Sequence, residues 1–172
     1  MEDCVVVDRS TRTVAIAVVL ISAVSISLLG LEIILNPRVQ PGLYYEEIDQ
    51  GFYCGIITRS EYVIDDNETW NILWTNIHNI SIETPVLPYV NFSKEVVIAV
   101  FLGDLPTGGY SVDIKRIEVT TFGWIIHVDE THPGEGCGVT MAVTQPYHIV
   151  KANTTAPMQA EFTYNVIIDN CS

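Results

Sequence analysis

The stretch VVIAVFLGDLPTGGY, residues 96–110, contains the strongest structural signal in the chain. Its first seven residues, 96–102, are all apolar, and most of them are β-branched. A strand with one solvent-exposed face alternates apolar and polar residues, so an unbroken apolar run of this length predicts a strand buried on both faces. We therefore expect this strand at the centre of a sheet.

A turn follows the apolar run. Pro106 fixes the backbone at a first corner, and Gly108 and Gly109 tolerate positive φ, so the chain can reverse its direction. We predict a hairpin whose return strand begins at Tyr110. The apolar positions of that strand change from even to odd numbers across residues 115–116, which predicts a β-bulge at that point.

The rest of the chain predicts several more strands and one helix. Trp70, Leu73, Trp74 and Ile77 recur at the spacing of one helical face, directly after the capping residues 65–67. Further strands are predicted at 48–58, 61–64, 122–128, 139–144, 147–152 and 159–169, with a polar loop at 129–138. These elements indicate a mainly β fold: an antiparallel β-sandwich or partly open barrel with one short amphipathic helix.

The N-terminal residues predict a membrane anchor. Residues 14–35 are almost entirely apolar and long enough to cross a hydrocarbon core of about 30 Å as a transmembrane helix. Arg9 and Arg12 precede them, which places residues 1–13 in the cytoplasm. Residues 36–45 then form a linker, and residues 46–172 form an extracytoplasmic domain of a single-pass cell-membrane protein. The alternative is a cleaved signal peptide, with small residues near Ala23 and Ser25.

The charge of the chain argues against one class of partner. Its formal net charge is −13, which repels nucleic acid and anionic lipid headgroups. We therefore expect no nucleic-acid binding, and we interpret the acidic surface as one that keeps a secreted domain soluble.

Three cysteines follow the predicted anchor, where disulfides persist. Cys54 lies in the first predicted strand and Cys171 directly after the last one, so they can pair if those strands are neighbours. Pairing of Cys54 with Cys137 is the alternative.

Five Asn-x-Ser/Thr sequences are candidate glycosylation sites, and their number is typical of an extracytoplasmic surface. The asparagines are Asn67, Asn79, Asn91, Asn153 and Asn170.

The sequence contains few residues that suggest chemistry. The acidic loop 129–138 includes His132 and Cys137, but its spacing matches no known calcium loop and is more typical of a structural loop with a disulfide. His127 could pair with a carboxylate, yet no serine occupies a nucleophile elbow. We therefore expect neither an enzyme nor a cofactor.

Three motifs resemble the PrcB C-terminal domain family, named for a subunit of a bacterial surface protease complex. They are F-L-G-x-x-P-T-G-G-Y at 101–110, P-G-x-G-C at 133–137 and T-x-P-Y-H-I-V at 144–150. The resemblance extends from about residue 51 to 162. It implies a small β-rich domain outside the cytoplasm that assists another protein, such as a protease or other envelope protein.

Two turns are candidate partner-binding surfaces, because aromatic residues beside rigid turns are good binding anchors. The candidate residues are Pro106, Thr107, Gly108, Gly109, Tyr110, Pro146 and Tyr147. In the alternative interpretation both tyrosines pack beneath their own turns. A different functional hypothesis is a surface filament or adhesin subunit that self-associates through small residues of its apolar N-terminal helix.

Overall fold

The computed structural model describes residues 42–157 and 159–171, which form seven strands and one helix. The predictions for residues 1–13, 14–35 and 36–41 fall outside these residues. The strands are β1 (Tyr45–Gly51), β2 (Ser60–Ile64), β3 (Glu95–Phe101), β4 (Ser111–Val119), β5 (Trp124–Pro133), β6 (Tyr147–Asn153) and β7 (Ala160–Asp169). The helix, α1, is Asn67–Ile77. Within the described part of the chain, no helix is both long and apolar enough to span a membrane.

The strands form two sheets. Sheet 1 has the order β1-β6-β3-β2 with antiparallel neighbours, and sheet 2 has the order β4-β5-β7. In sheet 2, β4 and β5 are antiparallel, but β5 and β7 are parallel. The fold is therefore mainly β, as predicted, but not wholly antiparallel. Strand β6, which belongs to sheet 1, lies between β5 and β7 in the sequence. The chain therefore reverses twice, and β7 runs in the same direction as β5.

Strand β3 lies in the interior of sheet 1, and residues Val96–Phe101 are at most 1% exposed. One side of β3 packs under α1, and the other side faces sheet 2. The prediction of a strand buried on both faces is confirmed. Burial of each such Val or Ile side chain contributes about 1.5–3 kcal/mol, so this strand is a major source of stability.

Helix α1 covers the outer face of sheet 1 with the four residues that the sequence predicts. Trp70, Leu73, Trp74 and Ile77 are all buried. The indole N–H groups of the two tryptophans donate to the backbone carbonyls of Pro88 and Pro85, at 3.1 and 3.0 Å. These two hydrogen bonds hold the segment that follows α1 against the helix.

The predicted hairpin after β3 is wrong. β3 pairs with β2 and β6, whereas β4 pairs with β5 in the other sheet. Residues 102–110 instead carry the chain from sheet 1 to sheet 2. The predicted bulge is confirmed, because the register of β4 against β5 shifts between Ile114 and Arg116.

Three element boundaries differ from the prediction. The first strand ends at Gly51 rather than at residue 58, and residues 139–144 form no strand apart from one bridge between Thr144 and Leu105. The predicted loop at 129–138 begins too early, because β5 continues to Pro133. Before β1, the amide of Leu43 donates to the carbonyl of Ile117 at 2.8 Å.

The strand register defines two ends of the domain. At the linker end, Tyr45 pairs with Ala152 and Glu95 pairs with Asn153. At the turn end, Gly51 and Phe101 both pair with Tyr147. The seven residues of β1 separate the two ends by about 20 Å, at roughly 3.3 Å per residue.

Candidate functional site

The site lies at the turn end, where residues 106–110 pack against the segment before β6. The amide of Gly108 donates to the carbonyl of Thr140 at 2.9 Å. Gly109 has a φ of +87°, and a Cβ at this position would approach Pro133 and Val139 to within 2.9 Å. The second glycine of the turn is therefore required both for its backbone conformation and for close packing.

Hydrogen bonds make this turn rigid. Leu105 and Thr144 exchange two backbone hydrogen bonds of 2.8 and 3.0 Å, and the buried Thr144 hydroxyl donates to the Thr107 carbonyl at 2.8 Å. The side-chain amide of Gln145 donates to Asp104 at 2.7 Å, and its backbone amide donates to the carbonyl of Phe52 at 2.8 Å. The segment after β1 is thereby fixed beside the turn.

A groove of about 360 Å³ opens between these segments. Phe52 and Tyr53 line one part of it and remain 54% and 58% exposed. Tyr110 is half-buried, with its ring edge-on to His132 at a centroid distance of 5.2 Å. Ser111, Thr131, Thr140, Thr144 and Asp169 complete the lining, and one carboxylate oxygen of Asp169 accepts from the amide of Cys171 at 3.0 Å. The groove thus combines exposed aromatic rings with hydrogen-bonding groups.

The structure separates the predicted partner-binding residues into two sets. Residues 106–110 lie at the surface or are half-buried, and Gly108, Gly109 and Tyr110 line the groove. Pro146 and Tyr147 are buried. Partner binding by these seven residues stays a prediction, with Pro146 and Tyr147 packed in the interior.

Tyr147 is buried, and both its ring and its hydroxyl group have partners. Its ring stacks on Phe101 at a centroid distance of 5.9 Å, and its hydroxyl donates to Asp49 at 2.9 Å. Burial raises the pKa of Tyr147 far above its usual value, and the hydrogen bond to the Asp49 carboxylate raises it further. The ring of Tyr147 is therefore packed in the interior, and its role in partner binding stays a prediction.

A disulfide joins Cys137 to Cys171, beside the groove. The predicted pairing of Cys54 with Cys171, and its alternative with Cys137, are both wrong. The first and last strands lie in different sheets, and Cys54 follows the end of β1, 2% exposed within the core between sheet 1 and α1. Burial raises the pKa of the free Cys54 thiol.

The sequence did not predict an ionic network next to Tyr110. Glu130 is only 6% exposed, and its two carboxylate oxygens contact Arg59 at 2.6 Å and His132 at 2.7 Å. Burial alone would raise the pKa of Glu130, but the hydrogen bonds from Arg59 and His132 outweigh it and hold the pKa below its usual range. The alternation Trp124-Ile126-Val128 continues to Glu130 and could have identified its inward position.

His127 lies on sheet 2 and has several polar neighbours. Its Nε2 atom is 3.2 Å from Glu118 and 3.0 Å from Arg116, and its Nδ1 atom is 3.2 Å from the hydroxyl of Thr163. Because Arg116 also contacts Glu118, at 2.6 Å, the carboxylate is already engaged in an ion pair. We interpret this cluster as polar pairing between adjacent strands.

The candidate glycosylation sites lie at the surface to different degrees. Asn67, Asn79, Asn153 and Asn170 are exposed, whereas Asn91 is half-buried and its side chain accepts a hydrogen bond from the amide of Ser93 at 3.2 Å. Glycosylation stays a prediction. Among residues 42–157 and 159–171, no group of three or more metal-ligating side chains is placed to hold an ion.

The fold and the groove define a class of small β-sandwich domain, covered by one helix, with a rigid turn at one end. The family model described as PrcB C-terminal matches residues 96–153, from the first buried residue of β3 to the end of β6. This match confirms the resemblance predicted from the motifs, over a shorter span than residues 51–162. No curated protein and no solved structure shows a significant match to this chain.

Proposed function

We propose that this chain is a membrane-anchored, extracytoplasmic and non-enzymatic domain that binds another envelope protein through the groove at its turn end. The observation that carries the proposal is the pair of large aromatic side chains, Phe52 and Tyr53, exposed beside a rigid turn. Aromatic residues dominate the energetics of protein interfaces because they bury large areas at a small cost in conformational entropy.

The shape and chemistry of the groove favour an extended polypeptide as its ligand. Its volume of about 360 Å³ accommodates a few side chains, and its hydroxyl groups can bind backbone N–H and C=O groups. The charged residue among those that line the groove is the acidic Asp169, in a chain of net charge −13, and this favours a basic or neutral segment over an acidic one.

The position of the groove also supports presentation from a membrane. The predicted linker leads into the domain at Gly42, at the linker end, while the groove lies at the turn end, about 20 Å away along β1. A chain anchored through residues 14–35 would enter the domain at the end opposite the groove. The resemblance to the PrcB family makes a surface protease complex the first class of partner to test.

The alternative function, a self-associating filament or adhesin subunit, is favoured by one observation. Strand β7 is an edge strand of sheet 2, and its residues Val166, Ile167 and Ile168 are 53%, 40% and 53% exposed. Exposed apolar edge strands are prone to pair with further chains. Electron microscopy of the purified full-length chain separates the two functions, because fibres indicate self-assembly and monodisperse particles support the docking domain.

The experiment is an affinity purification of the full-length chain from its own membranes. Tyr53→Ala removes an exposed ring from the groove, and Ile72→Ala removes a side chain of similar exposure, 54%, from α1. We expect a specific co-purifying protein to be lost with Tyr53→Ala and kept with Ile72→Ala. Equal recovery with both variants, or hydrolysis of a substrate by the purified chain alone, would contradict the proposal.

A further inference from the structure

Two uncharged stretches meet at the linker end. Residues 119–126, between Glu118 and His127, contain no ionisable side chain, and neither do residues 152–160, between Lys151 and Glu161. Val119–Trp124 from the first stretch and Thr154–Pro157 from the second line a common hollow of about 280 Å³. In a chain of net charge −13, this surface carries few charges, and the exposed Glu161, which lines a neighbouring hollow with Phe122, lies at its edge. We call Val119–Trp124 and Thr154–Pro157 together the uncharged patch.

The patch presents an aromatic side chain to solvent. Phe122, in the tight connection between β4 and β5, is 82% exposed, and Val119 is 44% exposed. The connection is rigid, because the amide and the hydroxyl of Thr120 both donate to the carbonyl of Gly123, at 2.8 and 2.9 Å. The Thr120 hydroxyl also accepts from the amide of Phe122 at 3.2 Å. Phe122 is therefore held outward by the local backbone.

The patch lies where the chain leads into the domain. Leu43 is hydrogen-bonded to Ile117, and Val119 is only two residues further along β4, about 7 Å away. Tyr44, next to Leu43, is 75% exposed. Six residues, 36–41, separate the apolar stretch 14–35 from Gly42, so at most about 25 Å of extended chain joins them. The patch thus lies within reach of the surface of any membrane that residues 14–35 cross.

We infer that the uncharged patch is a lipid-contacting surface, with Phe122 inserted into the interfacial region of the membrane that holds the chain. This inference rests on the proposed membrane anchorage. An acidic domain is repelled by anionic headgroups over most of its surface, so it approaches a bilayer best through an uncharged face. Phenylalanine gains free energy when its ring enters the boundary between headgroups and acyl chains.

The charge pattern selects lipid over a protein partner for this patch. A specific protein interface usually has a polar or charged rim that fixes orientation, whereas lipid contact at this patch needs only the proximity that the short linker supplies. A single inserted ring is then sufficient for lipid contact, because the linker keeps the domain close to the bilayer. The contact contains no ion pair, so we expect it to be insensitive to salt.

The test uses the full-length chain in phosphatidylcholine vesicles, in a Cys4→Ser background. A fluorophore is attached at Phe122→Cys or, as the control at the turn end, at Tyr53→Cys, and lipids with a quencher on the acyl chain are added. Cys54 is buried and the other two cysteines are paired, so the label is directed to the new site. Thr121→Cys, at an exposed neighbouring position, serves as a second probe of the patch.

We expect loss of fluorescence at positions 122 and 121 and none at position 53, unchanged by high salt. If the chain floats with the vesicles but the label at 122 is not quenched, or is quenched no more than at 53, the patch does not contact lipid and the inference is overturned while anchorage stands. If the chain does not float with the vesicles, the proposed anchorage fails and the inference fails with it.

Discussion

The backbone amide of Ile114 in sheet 2 donates a hydrogen bond of 2.8 Å to Nδ1 of His148 in sheet 1. This bond crosses the interior of the sandwich beside the β4 bulge, where the extra residue Lys115 interrupts the ladder with β5. His148 is 3% exposed, and its Nδ1 must be unprotonated to accept the bond. The histidine therefore satisfies a backbone donor in the interior and joins the two sheets.

The first prediction concerns the pH dependence of stability. Burial lowers the pKa of His148 below its ordinary value of 6.5, against the opposing influence of Asp113 and Glu47, while Lys115 lowers it further. Below pH 6.5 the unfolded chain therefore binds a proton that the folded chain does not, so the free energy of unfolding falls as the pH decreases from 6.5. Urea denaturation between pH 5 and 8 measures this slope.

Two variants of His148 separate titration from hydrogen bonding. His148→Asn can keep an acceptor for the Ile114 amide but does not titrate, so it should flatten the slope below pH 6.5. His148→Leu leaves that buried amide without a partner and should cost about 1–3 kcal/mol at neutral pH. An unchanged slope in His148→Asn would show that another group controls the pH dependence.

The second prediction concerns the disulfide. Cys137 and Cys171 are separated by 34 positions, and a cross-link over this length stabilises a domain by about 3–4 kcal/mol through its effect on the unfolded chain. Cys137→Ser or reduction should lower the free energy of unfolding by that amount. Cys54→Ala serves as the control, because it leaves the disulfide in place. A non-reduced peptide map with Cys54 linked to either other cysteine would contradict the assigned pairing.

The third prediction concerns the ionic network beneath Tyr110. Glu130→Gln removes the charge that pairs with Arg59 and His132 in a nearly buried site and should destabilise the domain by about 1–3 kcal/mol. Because the pKa of Glu130 is lowered in the folded protein, the stability difference between the wild type and the variant is fully present above the usual pKa of 4.5. It disappears as the pH falls through the lower pKa of the folded state.

The matched control is an exposed pair at the other end of the sandwich. Glu46→Gln removes a partner of Lys151 at 3.2 Å, with the Glu46 side chain 56% exposed, and should cost at most about 1 kcal/mol. Urea midpoints at neutral pH compare the two variants. Equal effects would mean that the burial of Glu130 adds nothing to its pairing.

The central strand and the helix could be predicted from sequence because their signals are local. An apolar run at 96–102 and a four-residue face at 70–77 each specify burial without knowledge of the partner, and both predictions are confirmed. The bulge beside Lys115 was likewise visible in the change of apolar positions.

Strand pairing and the disulfide could not be predicted because they depend on which sheet each strand joins. A turn with two glycines permits a hairpin, but here residues 102–110 cross between sheets, held by the bridge from Leu105 to Thr144. The exposure of Phe52 and Tyr53 was also hidden, since both fell within a predicted strand that in fact ends at Gly51. The sequence therefore predicted only the part of the groove that residues 106–110 form.

The most direct test of the docking function is site-specific photo-crosslinking in intact cells. A photo-reactive amino acid replaces Tyr53 in the groove of the full-length chain or, as the control, replaces Ile72, which is equally accessible on α1. We predict an adduct with one particular protein from position 53 and no such adduct from position 72. No protein adduct at position 53, or the same adducts at both positions, would contradict the assignment of the groove as the docking site.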